Sequence, residues 1–150
     1  MKYYIISGEN SGDLYGSYLI DAIKKQDSDA VFFCWGGDYM AEKGVKMIRR
    51  LNKLSFMGFW EVFKNIFTIF YNFQLVKKDI KNKKPDALIL IDYPGFNLRV
   101  AQFAAKKNIK VLWFIAPQIW AWKESRIKKI KKYIDRMYVV LPFEKNYFKS

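Results

Sequence analysis

The sequence contains no histidine and a single cysteine among its 150 residues. Without histidine, these residues cannot build a Ser-His-Asp or Cys-His catalytic site, or the zinc sites that histidine usually completes. Carboxylates are then the candidate general bases. Cys34 lies in the apolar segment AVFFCWGG. We interpret it as a small buried hydrophobic residue, which excludes a disulfide framework and favours a reducing, cytoplasmic environment.

Acidic residues are scarce as well, because 14 Asp and Glu stand against 27 Lys and Arg, a formal net charge of +13 at pH 7. An excess of this size favours an anionic partner, such as nucleic acid, an acidic lipid surface or a phosphorylated substrate. The alternative is a lysine-rich surface that only maintains solubility. The apolar fraction of 51% is sufficient for one packed domain of ordinary size.

Short apolar runs alternate with longer helical patterns, which is typical of repeated βαβ units. The sequence therefore predicts an α/β fold with a Rossmann-like, mostly parallel sheet and helices on both faces. The predicted strands are Tyr3–Ser7, Val31–Trp35, Ala87–Ile91, Val111–Ile115 and Met137–Val140, with a candidate short strand at Lys46–Ile48. The predicted helices are Asp13–Lys25, Gly58–Lys83, Phe96–Lys107 and Ser125–Tyr133.

A loop with the sequence SGENSGD joins the first predicted strand to the first predicted helix. In an open parallel sheet, ligands bind beyond the carboxyl ends of the strands, and the helix that follows offers free N–H groups to anions. Gly8 and Gly12 can supply the turn, and Ser11 or Asp13 can cap the helix. The spacing is not that of a dinucleotide fingerprint, and a plain turn with a helix cap is the alternative. The candidate substrate-binding residues here are Gly8, Glu9, Asn10, Ser11, Gly12 and Asp13.

The segment IDYPGFN ends a run of aliphatic residues at the same edge of the predicted sheet. Pro94 cannot donate to a strand ladder and favours an extended conformation at Tyr93, so the strand must end here. Gly95 permits a turn into the next helix. Asp92 then stands at the rim of the crevice, where it is our candidate general base. Capping the next helix or pairing with a nearby lysine is the alternative for Asp92.

A third segment, FIAPQIWAWKESR, follows another predicted strand and breaks at a proline. Trp120 and Trp122 beside Gln118 offer flat apolar faces and a polar group, which suits a sugar or a base. Packing against a neighbouring helix is the alternative. The run KESRIKKIKKYIDR that overlaps it predicts an amphipathic helix with a cationic outer face. That face could dock on phosphates or could simply be solvated.

The predicted helix Gly58–Lys83 is apolar around most of its circumference, which is unusual for a helix on a soluble monomer. A transmembrane span would need about 20 apolar residues. Glu61, Lys64 and Asn65 are among the polar residues that interrupt such a run. A buried helix or a dimer interface is a second interpretation. We favour a helix that lies in the plane of a membrane surface, because five lysines follow its apolar part, at positions 77, 78, 81, 83 and 84.

Five segments together resemble successive motifs of the lipid-A-disaccharide synthases, a family of inverting glycosyltransferases with the GT-B fold. The segments are SGENSGD, FMGFWEVF, PDALILIDYPGFN, IAPQIWAWKESRIKKIKK and LPFEKNYF. The resemblance implies that residues 1–150 form the amino-terminal, acceptor-side domain of such an enzyme. The carboxyl-terminal domain that binds the UDP-sugar would be absent from this chain.

The resemblance also implies a reaction. A diacylglucosamine is transferred from UDP-2,3-diacylglucosamine to the 6-hydroxyl of 2,3-diacylglucosamine 1-phosphate (lipid X). The products are the β-1,6-linked disaccharide of lipid A and UDP, and no metal or other cofactor is expected. By the same resemblance Asp92 is the general base, and Gly95 stands where the family often has a second acid. The substrate-binding set gains Asn97, Gln118, Trp120, Trp122 and Arg126.

The apolar segment matches the part of the family that is thought to enter the membrane and admit acyl chains. The candidate residues for this contact are Met57, Phe59, Trp60, Phe63, Phe67 and Phe70. The expected partners are the UDP-activated acylated sugar, the acylated glucosamine phosphate and the anionic cytoplasmic face of the inner membrane, where the protein would be peripheral. A homodimer, or a separate chain that supplies the carboxyl-terminal domain, is compatible with the sequence.

Functions of other classes remain open at this point. A basic nucleic-acid-binding module would need exposed aromatic residues interleaved with Lys and Arg, whereas the aromatic residues here cluster on an apolar helix and at strand ends. A non-catalytic, basic membrane-surface module is a further alternative. A scaffold would use the apolar helix as a dimer interface, and a stable dimer that forms without detergent would identify it.

Overall fold

The computed structural model describes residues 1–50, 66–115 and 127–139. The predicted strands are confirmed, with ends that differ by at most two residues, and the described parts of the predicted helices are confirmed as well. The prediction missed the short helix α2. In chain order the elements are β1 (Lys2–Ser7), α1 (Asn10–Gln26), β2 (Val31–Gly36), α2 (Asp38–Ala41), β3 (Lys46–Arg50), α3 (Ile66–Lys83), β4 (Ala87–Ile91), α4 (Pro94–Ala105), β5 (Lys110–Phe114), α5 (Ile127–Tyr133) and β6 (Arg136–Tyr138).

The six described strands form one sheet in the order β3-β2-β1-β4-β5-β6, and every neighbouring pair is parallel. The chain moves outward in one direction from β1 to β3 and then in the other direction from β4 to β6. The strand order therefore reverses between β1 and β4. In open α/β sheets the crevice that binds ligands opens at such a reversal, beyond the carboxyl ends of the strands.

Two apolar cores lie on opposite faces of the sheet, because successive side chains of a strand point to opposite sides. On one face, Tyr4 and Leu90 pack with residues of α3, α4 and α5. On the other face, Ile5 and Ile91 pack with residues of α1 and α2. This arrangement confirms the prediction of helices on both faces, and it explains why the strands are apolar without alternation.

The helices follow the predicted polarity where the structure describes them. In α5, Ile130 is buried while the four lysines around it are exposed, as expected for an amphipathic helix. In α3, Val76 and Ile80 are buried against the sheet. The earlier part of that predicted helix, residues 58–65, lies outside the described residues.

Candidate active site

Two loops meet at the reversal of strand order. The β1–α1 loop carries Gly8 and Glu9, and the β4–α4 loop carries Asp92 and Tyr93. The last residues of the two strands, Ser7 and Ile91, are register partners. The loops therefore leave the sheet side by side at its carboxyl edge, where the sequence places two candidate site segments.

The chain reverses at Asp92 and Tyr93, and both residues adopt the left-handed conformation, with φ values of 51° and 46°. The predicted extended conformation of Tyr93 is wrong, and so is the assignment of the turn to Gly95, because α4 already begins at Pro94. A left-handed conformation costs about 1–2 kcal/mol for each residue other than glycine. Strain of this kind is found at functional sites, where the surrounding structure maintains it.

Packing across the crevice explains why Tyr93 departs from its local preference. The Tyr93 ring stacks on Phe96 at 5.5 Å between ring centroids. It also lies directly against Gly8, where an added Cβ would be 2.5 Å from Tyr93 Cγ. Only glycine leaves room for this ring, so the glycine of the first loop shapes the second loop.

The buried side-chain amide of Asn97 forms hydrogen bonds to the backbone of this turn. Asn97 has no exposed surface. Its Nδ2 donates hydrogen bonds to the carbonyl oxygens of Ile91 at 3.2 Å and Asp92 at 2.8 Å. Its backbone N–H donates to the carbonyl oxygen of Tyr93 at 3.1 Å. On the neighbouring loop, Ser7 Oγ donates in a similar way to the carbonyl oxygen of Glu9 at 3.0 Å.

Glu9 brings a second carboxyl group to the crevice. It is the residue before α1, but its side chain makes no capping hydrogen bond to that helix. Partial burial raises the pKa of Glu9, and the nearby charge of Asp92 raises it further. Sequence reasoning placed both acids in the site without pairing them. The parallel register of β1 and β4 is the signal that could have predicted their proximity.

Asp13 has a different position from the rest of its loop. It is 2% exposed, and its carboxylate accepts hydrogen bonds from the N–H groups of Gly37 at 2.7 Å, Tyr39 at 2.9 Å and Met40 at 3.3 Å. These groups belong to the amino end of α2 and the residue before it. The prediction that Ser11 or Asp13 caps α1 is therefore wrong. Asp13 holds α1 to α2 and does not line the crevice with Glu9.

The remaining candidate residues of the two loops differ in their exposure to solvent. Asn10 and Ser11 are exposed at the start of α1. Gly12 is buried, and an added Cβ there would lie 2.6 Å from Ser7 Oγ, so this glycine lets α1 approach the end of β1 closely. Asp92 is half-buried and remains the candidate base at the rim.

A third strained residue lies at the same edge of the sheet. Ile115 follows β5 with φ of 68°, which is rare for a β-branched side chain. The segment after it contains four candidate substrate-binding residues that lie outside the described residues, namely Gln118, Trp120, Trp122 and Arg126.

The candidate membrane residues are described only in part. Met57, Phe59, Trp60 and Phe63 lie outside the described ranges, and Phe67 belongs to α3. Phe70 is 62% exposed, and its neighbour Tyr71 is 59% exposed. Among the helices that the structure describes, none is both long and apolar enough to span a membrane. In the same ranges, no three Cys, Asp or Glu side chains lie close enough together to hold a metal ion.

Comparisons with known proteins agree with these features. The family model described as lipid-A-disaccharide synthetase matches residues 3–150. A lipid-A-disaccharide synthase of Trichlorobacter lovleyi is 44% identical over 146 residues, which cover 97% of this chain and 38% of that protein. The corresponding enzyme of Coxiella burnetii is 41% identical, with 97% of this chain and 39% of that protein covered. The chain thus spans less than two-fifths of these relatives.

Solved structures of two enzymes support the fold. A UDP-GlcNAc 2-epimerase from Neisseria meningitidis, solved with UDP-GlcNAc bound, has a TM-score of 0.64 at 13% identity. The matched region covers 99% of this chain and 43% of the epimerase chain. The UDP-GlcNAc 2-epimerase of Methanocaldococcus jannaschii gives 0.63 at 17% identity, covering 99% and 42%. At these identities the likeness concerns the α/β fold alone. Because the family model and the relatives cover nearly the whole sequence, the chain belongs to the lipid-A-disaccharide synthetase family.

Proposed function

We propose that this chain is the acceptor-side part of a lipid-A-disaccharide synthase. The reaction transfers a diacylglucosamine from UDP-2,3-diacylglucosamine to the 6-hydroxyl of 2,3-diacylglucosamine 1-phosphate. The observation that carries the proposal is the position of Asp92, in a strained turn at the reversal of strand order, within a chain of this family. The UDP-sugar site belongs to a further, carboxyl-terminal domain, as the resemblance of the motifs implies.

Asp92 is the general base in this proposal. Its carboxylate takes the proton of the acceptor 6-hydroxyl as that oxygen forms a bond to C1 of the donor sugar. The bond between C1 and the phosphate oxygen breaks at the same time, and UDP leaves with the electron pair. Proton removal by a positioned carboxylate contributes about 10²–10⁴-fold to the rate of such steps.

Glu9 assists at the same crevice. Partial burial and the nearby charge of Asp92 raise the pKa of the Glu9 carboxyl group. The oxygen atoms of both carboxyl groups can accept hydrogen bonds from sugar hydroxyls. Glu9 can therefore orient the acceptor, while Asp92 takes the proton.

Contact with the membrane surface is the second part of the proposal. The exposed Phe70 and Tyr71 lie in the first half of α3, and lysines follow in its second half. Lysines near the surface bind anionic headgroups, and exposed aromatic rings enter the interface. We expect the protein to be peripheral on the cytoplasmic face of the inner membrane, where its acylated substrates also reside.

Product formation with matched acceptors tests the proposed reaction directly. The protein as it occurs in the cell is incubated with the UDP-linked donor and either the 1-phosphate acceptor or its 6-deoxy analogue, and the products are identified by mass spectrometry. The acceptor with a 6-hydroxyl should give the disaccharide and an equal amount of UDP, and the 6-deoxy acceptor should give neither. Disaccharide formation from the 6-deoxy acceptor, or its absence with both, would reject the assignment.

A further inference from the structure

We infer that Asn97 is a positioning residue for Asp92, whose left-handed turn it holds with its buried amide. This inference rests on the proposed function and deepens it. The motif resemblance treats Asn97 as a residue that lines the crevice for substrate. The structure instead places its side chain beneath the turn, with no exposed surface.

The hydrogen bonds of Asn97 reach three successive carbonyl groups. Both N–H bonds of Nδ2 are used, one on Ile91 O at 3.2 Å and one on Asp92 O at 2.8 Å. The backbone N–H of Asn97 donates to the third carbonyl oxygen, that of Tyr93, at 3.1 Å. One residue therefore fixes the end of β4 and both residues of the turn at once.

The turn needs such support because Asp92 and Tyr93 are two consecutive non-glycine residues with positive φ. The left-handed region is unfavourable for L-amino acids, and consecutive residues in it are uncommon. The Gly8 contact and the Phe96 stack hold the ring of Tyr93. The backbone N–H of Asn97 binds the carbonyl oxygen of Tyr93, and the side-chain amide of Asn97 binds that of Asp92 itself.

The chemistry of the amide makes the assignment specific. A side chain at this position must donate two hydrogen bonds toward neighbouring carbonyl oxygens, which the amide of asparagine can do and a carboxylate cannot. Aspartate has nearly the same shape, but its oxygens would face the carbonyl groups of Ile91 and Asp92 and repel them. Asn97→Asp is thus a substitution of nearly equal size that replaces the donors by acceptors and adds a negative charge, whereas Asn97→Ala removes the donors without adding charge.

The experiment compares Asn97→Asp and Asn97→Ala with the unchanged protein, each in the protein as it occurs in the cell. Asn82→Asp is the matched control, because Asn82 is exposed on α3 and the substitution changes the charge in the same way. Steady-state kinetics with the lipid acceptor are measured for each protein. Crystal structures give φ of Asp92, and thermal unfolding reports whether each variant folds.

A positioning role predicts that kcat falls about 100-fold in both variants, as expected when a catalytic group moves by about 1 Å. The KM for the acceptor stays within about threefold of the unchanged value, because only transition-state interactions are lost. Asp92 leaves the left-handed region in the crystal structures. The Asn82→Asp protein keeps kcat, KM and the conformation of Asp92.

Other outcomes overturn the inference. A rise in KM with unchanged kcat would make Asn97 a substrate contact, and an unchanged left-handed Asp92 would show that the amide does not hold the turn. If the unchanged protein forms no disaccharide, the proposed function fails, and the conformation of Asp92 in the variants still decides the role of Asn97. If Asn97→Asp does not fold, Asn97→Ala gives the same test without a buried charge.

Discussion

Substitution of Gly8 by alanine should destabilise the protein and distort the turn that carries Asp92. An added Cβ would lie 2.5, 2.6 and 2.8 Å from Tyr93 Cγ, Cβ and Cδ1. Non-bonded carbon atoms are most favourable at about 3.5–4.0 Å, so the ring would have to move by about 1 Å. The ring cannot move freely, because it also stacks on Phe96 at 5.5 Å between centroids.

The expected loss of stability is that of an overpacked core site, about 1–3 kcal/mol. Urea denaturation of the Gly8→Ala protein should lower the midpoint without changing the slope, since the surface exposed on unfolding stays the same. Gly95→Ala is the matched control. Gly95 lies in the first turn of α4, and an added Cβ there meets no atom within 4 Å. That substitution should stabilise the protein by about 0.4–1 kcal/mol.

A double-mutant cycle attributes the effect to the contact with Tyr93. Tyr93→Gly removes the three nearest atoms that an added Cβ at residue 8 would meet, and glycine tolerates the left-handed conformation. In that background, Gly8→Ala should change the free energy of unfolding by less than about 0.5 kcal/mol. An equal loss in both backgrounds, or no loss in the original one, would refute the explanation.

Four further predictions concern other parts of the molecule. Asp13→Ala should lower the free energy of unfolding by about 2 kcal/mol or more in urea denaturation, because three N–H groups lose a charged acceptor. Glu9→Gln should raise the free energy of unfolding at neutral pH but not below about pH 4.5. The pKa of Glu9 is raised in the folded state, so ionisation of Glu9 opposes folding above that pH. Urea denaturation at one pH in each range measures the difference. In the same view, Asp92→Asn should lower the pKa of Glu9 in an NMR titration. Replacing both Phe70 and Tyr71 with serine should weaken sedimentation with anionic vesicles at least threefold, because two rings exposed at 62% and 59% no longer enter the interface.

Much of the fold could be predicted from the sequence because its strands are short apolar runs that end at turn-forming residues. This pattern located β4 correctly at Ala87–Ile91. The helix α2 was missed because four residues are too few to show helical periodicity. Its position depends on Asp13, whose partners lie 24 to 27 residues further along the chain.

The details of the candidate site were harder to predict, because they depend on contacts between distant segments. The rule for a residue before proline predicts an extended Tyr93. In the structure Tyr93 is left-handed instead, and its ring packs on Gly8, 85 positions earlier in the sequence. The side-chain hydrogen bonds of Asn97 and the proximity of Glu9 to Asp92 likewise become visible only when the two loops stand together.

The most direct test of the account is the transfer rate of Asp92→Asn in the protein as it occurs in the cell. Asp29→Asn serves as the control, because Asp29 is exposed in the loop before β2, at the opposite edge of the sheet. Loss of a general base predicts that kcat falls by about 10²–10⁴-fold for Asp92→Asn, while thermal unfolding shows that the variant still folds. The control should retain the original rate. Equal rates in the two variants would contradict the assignment of Asp92 as the base.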